Sequence, residues 1–207
     1  MKIIKYLFLV FIFLIVLLAV RVKYNLRDRH PDFDIDIYLK NTGQIGSISV
    51  GFAKMPITPE ITDTWNDLNG NARYEPDKGD FYNDVNGNNK FDPIWIGGFH
   101  NSRPAQGVND DLWARVMVID DGGTKIAIVS IDAVGFIYDD AVDIRKEIKK
   151  NIGCDYTIIS STHVHQAPDL IGIWGPSYFK SGVDKKYMQY VKKQTIAAIA
   201  TAVKSLT

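Results

Sequence analysis

The run 125-KIAIVSIDAVG-135, followed by 139-DDAVDIRKEIKKNIG-153 and 155-DYTIISSTHVH-165, decides the fold class. The first piece is short and rich in Ile, Val and Ala, which reads as a buried strand. The second places apolar residues at Val142, Ile144 and Ile148. It opens on two aspartates, ends on Lys149 and Lys150, and closes on Gly153, which are helix start, charge and stop signals. The third piece is again apolar and β-branched. Strand, helix, strand in that order argues for an α/β sheet. Working outward, 112-LWARVMVID-120 reads as a strand joined to 125–135 by the Asp-Gly-Gly turn at 121–123. Residues 185–206 read as a long amphipathic helix, and a further strand is expected at Ser47–Ala53. The expected architecture is a mixed sheet with flanking helices, with ligand chemistry at the carboxyl ends of the strands.

Composition narrows the function classes. The chain has 207 residues, 24 basic and 24 acidic, so it carries no electrostatic footprint for nucleic acid. Its one cysteine, Cys154, cannot form an intrachain disulfide and reads as a small apolar residue. The first thirty residues stand apart. Lys2 and Lys5 precede an unbroken apolar run from Tyr6 to Val20, and Arg21, Lys23, Arg27 and Arg29 follow it. We read residues 1–23 as a signal anchor or a signal peptide; "LLAVRV" is a poor cleavage site, which favours the anchor. Either reading sends the remainder out of the cytoplasm, as a membrane-anchored exported domain or as a secreted or periplasmic one. Residues 24–46 form a polar connector, and 47–207 the α/β domain. The chain stops straight after its last helix, so the domain is expected to be incomplete at its C-terminal end.

Residues 61–110 are rich in Asn, Asp, Gly and Pro and are expected to be one long inserted loop. It holds a repeat: 67-DLNGNARYEP-76 and 84-DVNGNNKFDP-93, seventeen residues apart. Oxygen side chains at positions 1, 3, 5 and 9 match the spacing of an EF-hand-type calcium loop. The candidate ligands are Asp67, Asn69, Asn71 and Glu75 in the first copy, and Asp84, Asn86, Asn88 and Asp92 in the second. Neither copy has Glu at position 12, so calcium affinity is expected near 10⁻⁴–10⁻³ M, on the order of extracellular modules. The D-x-N-G-N form resembles the calcium repeats of thrombospondin type 3 and dockerin modules.

Four histidines occur in the chain, and two of them, His163 and His165, follow the strand 155–165 with one residue between. On a strand they share a face, because side chains alternate with period two. Two imidazoles that close suit one divalent ion, with Thr162, Gln166 and Asp169 nearby as supporting groups.

Three ordered elements carry a wider resemblance: "SVGFAKMPITPE", "GVNDDLWARVMVIDDGGTKIAIVSIDAVGF" and "YTIISSTHVHQAPD". Over residues 47–203 the chain resembles the N-terminal part of the neutral/alkaline non-lysosomal ceramidase family. That resemblance implies a zinc amide hydrolase acting on N-acyl sphingosine or another lipid amide, in which zinc activates a water. It also implies zinc ligands at the T-H-T-H segment, here Thr162–His165, with both His163 and His165 kept as candidates. A further ligand is implied at a histidine position occupied here by Asn109, with Asp110 or His100 as substitutes. The family's Glu, Tyr and catalytic Ser lie later than the matched region, so the nucleophile is not expected in this chain. Asp132 and Asp169 are candidates to orient a ligand, and Arg115 to hold structure or an oxyanion. The alternative expectation is a non-catalytic, calcium-ordered cell-surface binding module of the same fold, which Asn109 favours.

Overall fold

The computed structural model of the protein describes residues 2–33 and 46–207. Residues 34–45 of the polar connector lie outside them. The chain divides into two units, Met1–Asp36 and Ile37–Thr207. The first unit is a helix, α1 (Lys2–Asn25), five residues longer at its C-terminal end than the apolar run to Val20. Its apolar side chains are exposed along its length, and it is long and apolar enough to cross a membrane.

The second unit is a four-stranded mixed sheet with two helices. Its strands are β1 (Ser49–Pro56), β4 (Trp113–Asp120), β5 (Lys125–Ile131) and β6 (Tyr156–Ser161), in the order β1-β4-β5-β6. The β1/β4 and β4/β5 pairs are antiparallel, and β5/β6 is parallel. The expected turn closes β4 onto β5, with the Asp121 carboxylate accepting from the N–H groups of Gly123 and Thr124. Helix α2 (Tyr138–Asn151) makes the crossover to β6 and ends as expected on Gly153, whose N–H returns to the Ile148 carbonyl. Helix α3 (Lys185–Lys204) starts on Asp184, whose side chain caps the Tyr187 N–H.

Both helices cover one sheet face. Ala114, Val116 and Val118 of β4 alternate inward with Ala127, Val129 and Ile131 of β5. They meet Val191, Ala198, Ile199 and Ala202 of α3 and Ile144 and Ile148 of α2. The two helices are locked by Lys192, which reaches Asp140 at 2.7 Å and Asp143 at 2.6 Å. The other sheet face is different. Register places Phe52, Met117, Ile128 and Ile158 side by side in one row across all four strands. Phe52 is 66% exposed and Ile158 43%, so this apolar row is uncovered among the described residues.

Two expectations are corrected. Residues 61–110 are not a featureless loop: β2 (Asp63–Asn66) and β3 (Phe81–Asp84) pair antiparallel, with a turn of 3-10 helix at Pro76–Lys78 between them. Four-residue strands that carry Asp and Asn at their ends are too short and polar to stand out from turn chemistry. The strand read over 155–165 stops at Ser161, because its parallel partner β5 stops at Ile131. The Thr162 N–H makes the last link, to the Ile131 carbonyl, and His163 then enters the left-handed region at φ +61. His163 and His165 therefore sit in a turn beyond the strand, not on it.

Candidate functional site

The turn still brings the two imidazoles together. The Nδ1 of His163 lies 2.7 Å from the Val134 carbonyl, an oxygen that can only accept. Nδ1 is thus the protonated nitrogen, which leaves Nε2 as the lone-pair nitrogen of the neutral ring. That Nε2 lies 3.4 Å from the Nε2 of His165, within a long N–H···N hydrogen bond in which His165 would donate. Two nitrogens bound tetrahedrally to one zinc at about 2.0–2.1 Å lie about 3.3–3.4 Å apart. The observed pair fits that separation, and the backbone carbonyl behind His163 is the kind of support a metal-bound histidine uses.

Neighbouring loops fix His165. Residues 95–97 run beside 167–169, with Gly97 N–H to the Ala167 carbonyl and Asp169 N–H to the Trp95 carbonyl. This places Gly98 so close to the His165 ring that a Cβ there would lie 2.6 Å from it, at a φ of +91. The Phe99 ring meets the His165 ring edge-on at 5.2 Å. Arg103 donates to the His165 carbonyl at 2.9 Å and to the Gln166 side chain at 2.8 Å. Phe99, Ser102 and His163 all have positive φ, a cost of about 1–3 kcal/mol each that persists only where the surroundings enforce it.

The remaining expected residues fall elsewhere. Asp169 is 1% exposed, and its carboxylate accepts from the N–H groups of Ile171, Gly172 and Trp174, so it organises the next loop. Asp132 accepts from the Trp113 N–H and from Arg115 at 2.7 Å, which makes Arg115 a strand-end ion pair. His100 bonds the carbonyl of Asn101. Asn109 and Asp110 bond each other and line a cleft of about 540 Å³, with Val164, Gln166, Trp65 and Ala72 on its other walls. Neither imidazole lines that cleft. Among the described residues no three His, Cys, Asp or Glu side chains are gathered to hold a metal ion. The Val134 carbonyl and Gly98 are the parts of the site that sequence reasoning missed. A glycine pair at 97–98 and an apolar run that continues past its strand to Val134 are the signals that pointed there.

The two repeats form a second candidate site. In each, the position-1 aspartate accepts from the backbone N–H of positions 4, 5 and 6: Asp67 from Gly70, Asn71 and Ala72, and Asp84 from Gly87, Asn88 and Asn89. Position 6 is the sharp-turn glycine of an EF-hand loop. Here Ala72 and Asn89 stand there, at φ +57 and +60. The repeat also extends four residues further upstream than its obvious core, as 63-DTWNDLNGNARYEP-76 and 80-DFYNDVNGNNKFDP-93. The added aspartates are buried and crossed. Asp63 accepts from Val85 and Asp92 of the second loop, and Asp80 from Leu68 and Glu75 of the first. The loops differ at position 12, where Lys78 bonds Glu75 at 2.9 Å while the second copy has Trp95. Lys78, and then Asn71, bring the Glu75 carboxyl down to about 2.

This architecture defines an α/β domain of ceramidase-like fold. Two solved structures share it: a ceramidase complexed with C2, and the neutral ceramidase from Pseudomonas aeruginosa, each at a TM-score of 0.54. Identity is 15% and 16%, and each alignment covers 77% of this chain. The chain spans 22% of the length of those ceramidases. The likeness bears out, for the fold, the resemblance carried by "GVNDDLWAR" and "THVHQAP". No protein-family model matches the chain, and comparison with curated proteins gives no match.

Proposed function

We propose that this chain supplies the two-histidine part of a zinc-dependent hydrolase that cleaves a lipid amide, held at a membrane by α1. The observation that carries the reading is the 3.4 Å separation of the two Nε2 atoms, with His163 set by the Val134 carbonyl. His163 and His165 would hold the metal. Zinc supplies an activated water and a Lewis acid for an amide carbonyl. The chain's own contribution is orientation: Gly98, Phe99 and Arg103 hold His165, and Val134 fixes the tautomer of His163. Asn109 is a poor zinc ligand, so the rest of the shell is not furnished by the residues that gather here. The apolar walls of the neighbouring cleft suit a hydrocarbon chain.

The test is metal content of the dialysed full chain by elemental mass spectrometry. Because two ligands alone hold zinc weakly, the dialysis buffer contains free zinc: protein-bound zinc above the buffer level that is lost in His163→Ala supports the reading, and wild-type protein that takes up none overturns it.

A second reading is favoured by Asn109 and by the crossed repeats: a calcium-ordered binding module without catalysis. Asp67 and Asp84 would anchor one calcium each, with Asn69, Asn71 and Glu75, and Asn86, Asn88 and Asp92, around them. The second loop, which has no lysine on its position-9 acid, is the tighter of the two. Calcium that raises the melting temperature, in a preparation that keeps no zinc, favours this reading.

A further inference from the structure

We propose that the turn tip Tyr178–Phe179 is an interfacial contact that seats the second unit on a lipid bilayer. Phe179 is 101% exposed and Tyr178 85%, which makes them the two most exposed large apolar side chains among the described residues. They sit between Ser177 and Lys180, which pair as an antiparallel bridge with the Lys180 N–H on the Ser177 carbonyl.

The exposure belongs to a stiff turn rather than a loose one. At its base, Gly175 donates to the side chain of buried Asn101 at 2.9 Å and accepts from the Ser102 N–H at 2.7 Å. Trp174 donates to Asp169 at 3.0 Å. The two legs approach so closely that a Cβ on Gly175 would lie 2.1 Å from the Lys180 carbonyl oxygen, and one on Gly182 1.7 Å from that of Trp174. The fold therefore presents both aromatics outward before any partner arrives, and little ordering entropy is lost on contact.

A bilayer interface is the occupant whose chemistry fits this tip. A tyrosine ring is stable at headgroup depth, a phenylalanine ring belongs in the acyl boundary, and the Lys180 beside them suits the phosphate layer. Helix α1 supplies the proximity. The 23 residues from 26 to 48 can extend to roughly 80 Å at most, which keeps the second unit within reach of the membrane that α1 enters. Tethering of that kind populates contacts too weak to hold alone. The inference rests on the membrane reading of α1 given above. It deepens that reading, because the base of the turn is bonded to Asn101, Ser102 and Asp169, on the same two loops that carry Phe99, Arg103 and His165.

The test uses the full chain, with Cys154→Ala, in phosphatidylcholine vesicles containing a nitroxide-labelled phosphatidylcholine. Single cysteines replace Phe179, Phe13 of α1, or Asn71 of the exposed repeat loop, and each carries a polarity-sensitive fluorophore. The expected result is a blue shift and loss of emission at 179 and at 13, with neither at 71. Two further proteins carry the label at Lys180→Cys: with Tyr178 and Phe179 intact the effect is expected at 180, with Tyr178→Ser and Phe179→Ser it is expected to be lost, and its persistence in the serine protein overturns the contact. Quenching at 13 but not at 179 overturns the contact and leaves the membrane reading of α1 intact. No quenching at either position overturns both, and equal quenching at 71 and 179 overturns the contact as non-specific.

Discussion

At the scale of single residues, the site turns on two details of His163: a proton fixed on Nδ1 and a backbone in the left-handed region. If the pair is a metal site, His163→Ala and His165→Ala should each bring the zinc content of the dialysed protein to background. Gly98→Ala should be informative in another way. Its Cβ meets the His165 ring and its φ of +91 penalises any side chain, so a loss of about 1–3 kcal/mol in thermal unfolding is expected together with weaker zinc retention. A variant that keeps its zinc while losing stability would show that His165 does not depend on this packing. The histidine pair was legible in the sequence because H-x-H is a local signal. Its supports were not, because the Val134 carbonyl and Gly98 reach it across 29 and 67 positions of chain, respectively, and backbone carbonyls leave no mark in a side-chain pattern.

At the scale of elements, periodicity and stop signals were enough for β4, α2 and α3, since each is long, apolar on one face and closed by Gly, Asp or Lys in the right place; β5 was legible as a strand, but it ends at Ile131, four residues before the Gly135 at which the apolar run stops. The strand end at Ser161 was not legible, because it is set by the length of a neighbouring strand. The β2/β3 ribbon escaped because its strands are four residues long and because Asp63 and Asp80, which tie the two loops to each other, read as turn residues. Between α2 and α3, Lys192→Met should destabilise the protein by about 3 kcal/mol, measured by denaturant unfolding near neutral pH, because it takes the cation away from the buried Asp140. Burial works to depress the Lys192 ammonium, but Asp140 and Asp143 outweigh it and hold its pKa above the usual value. A raised base adds stability that is fully present below its unfolded pKa and is lost as pH rises through its folded one. The gap between wild type and Lys192→Met should therefore narrow in the alkaline range and not on mild acidification. In the first repeat, Lys78→Gln should strengthen terbium or calcium binding, read by sensitised luminescence, because it removes a resident cation from Glu75.

At the scale of the whole molecule, removing residues 1–25 should shift the protein from the membrane fraction to the soluble one, measured by flotation with lipid. The open row of Phe52, Met117, Ile128 and Ile158 should make the chain bind a hydrophobic dye such as ANS while its near-ultraviolet dichroism stays native, and Phe52→Glu should reduce that binding. The crossed aspartates of the repeats have a different kind of consequence. Each half of the ribbon is finished by a carboxylate that belongs to the other, so neither half is a self-sufficient module. The smallest piece that can be grafted into a foreign protein, or gained and lost as a unit during descent, is the whole duplicated cassette from Asp63 to Pro93. A lone fourteen-residue copy transplanted elsewhere should arrive without the anchor that shapes it.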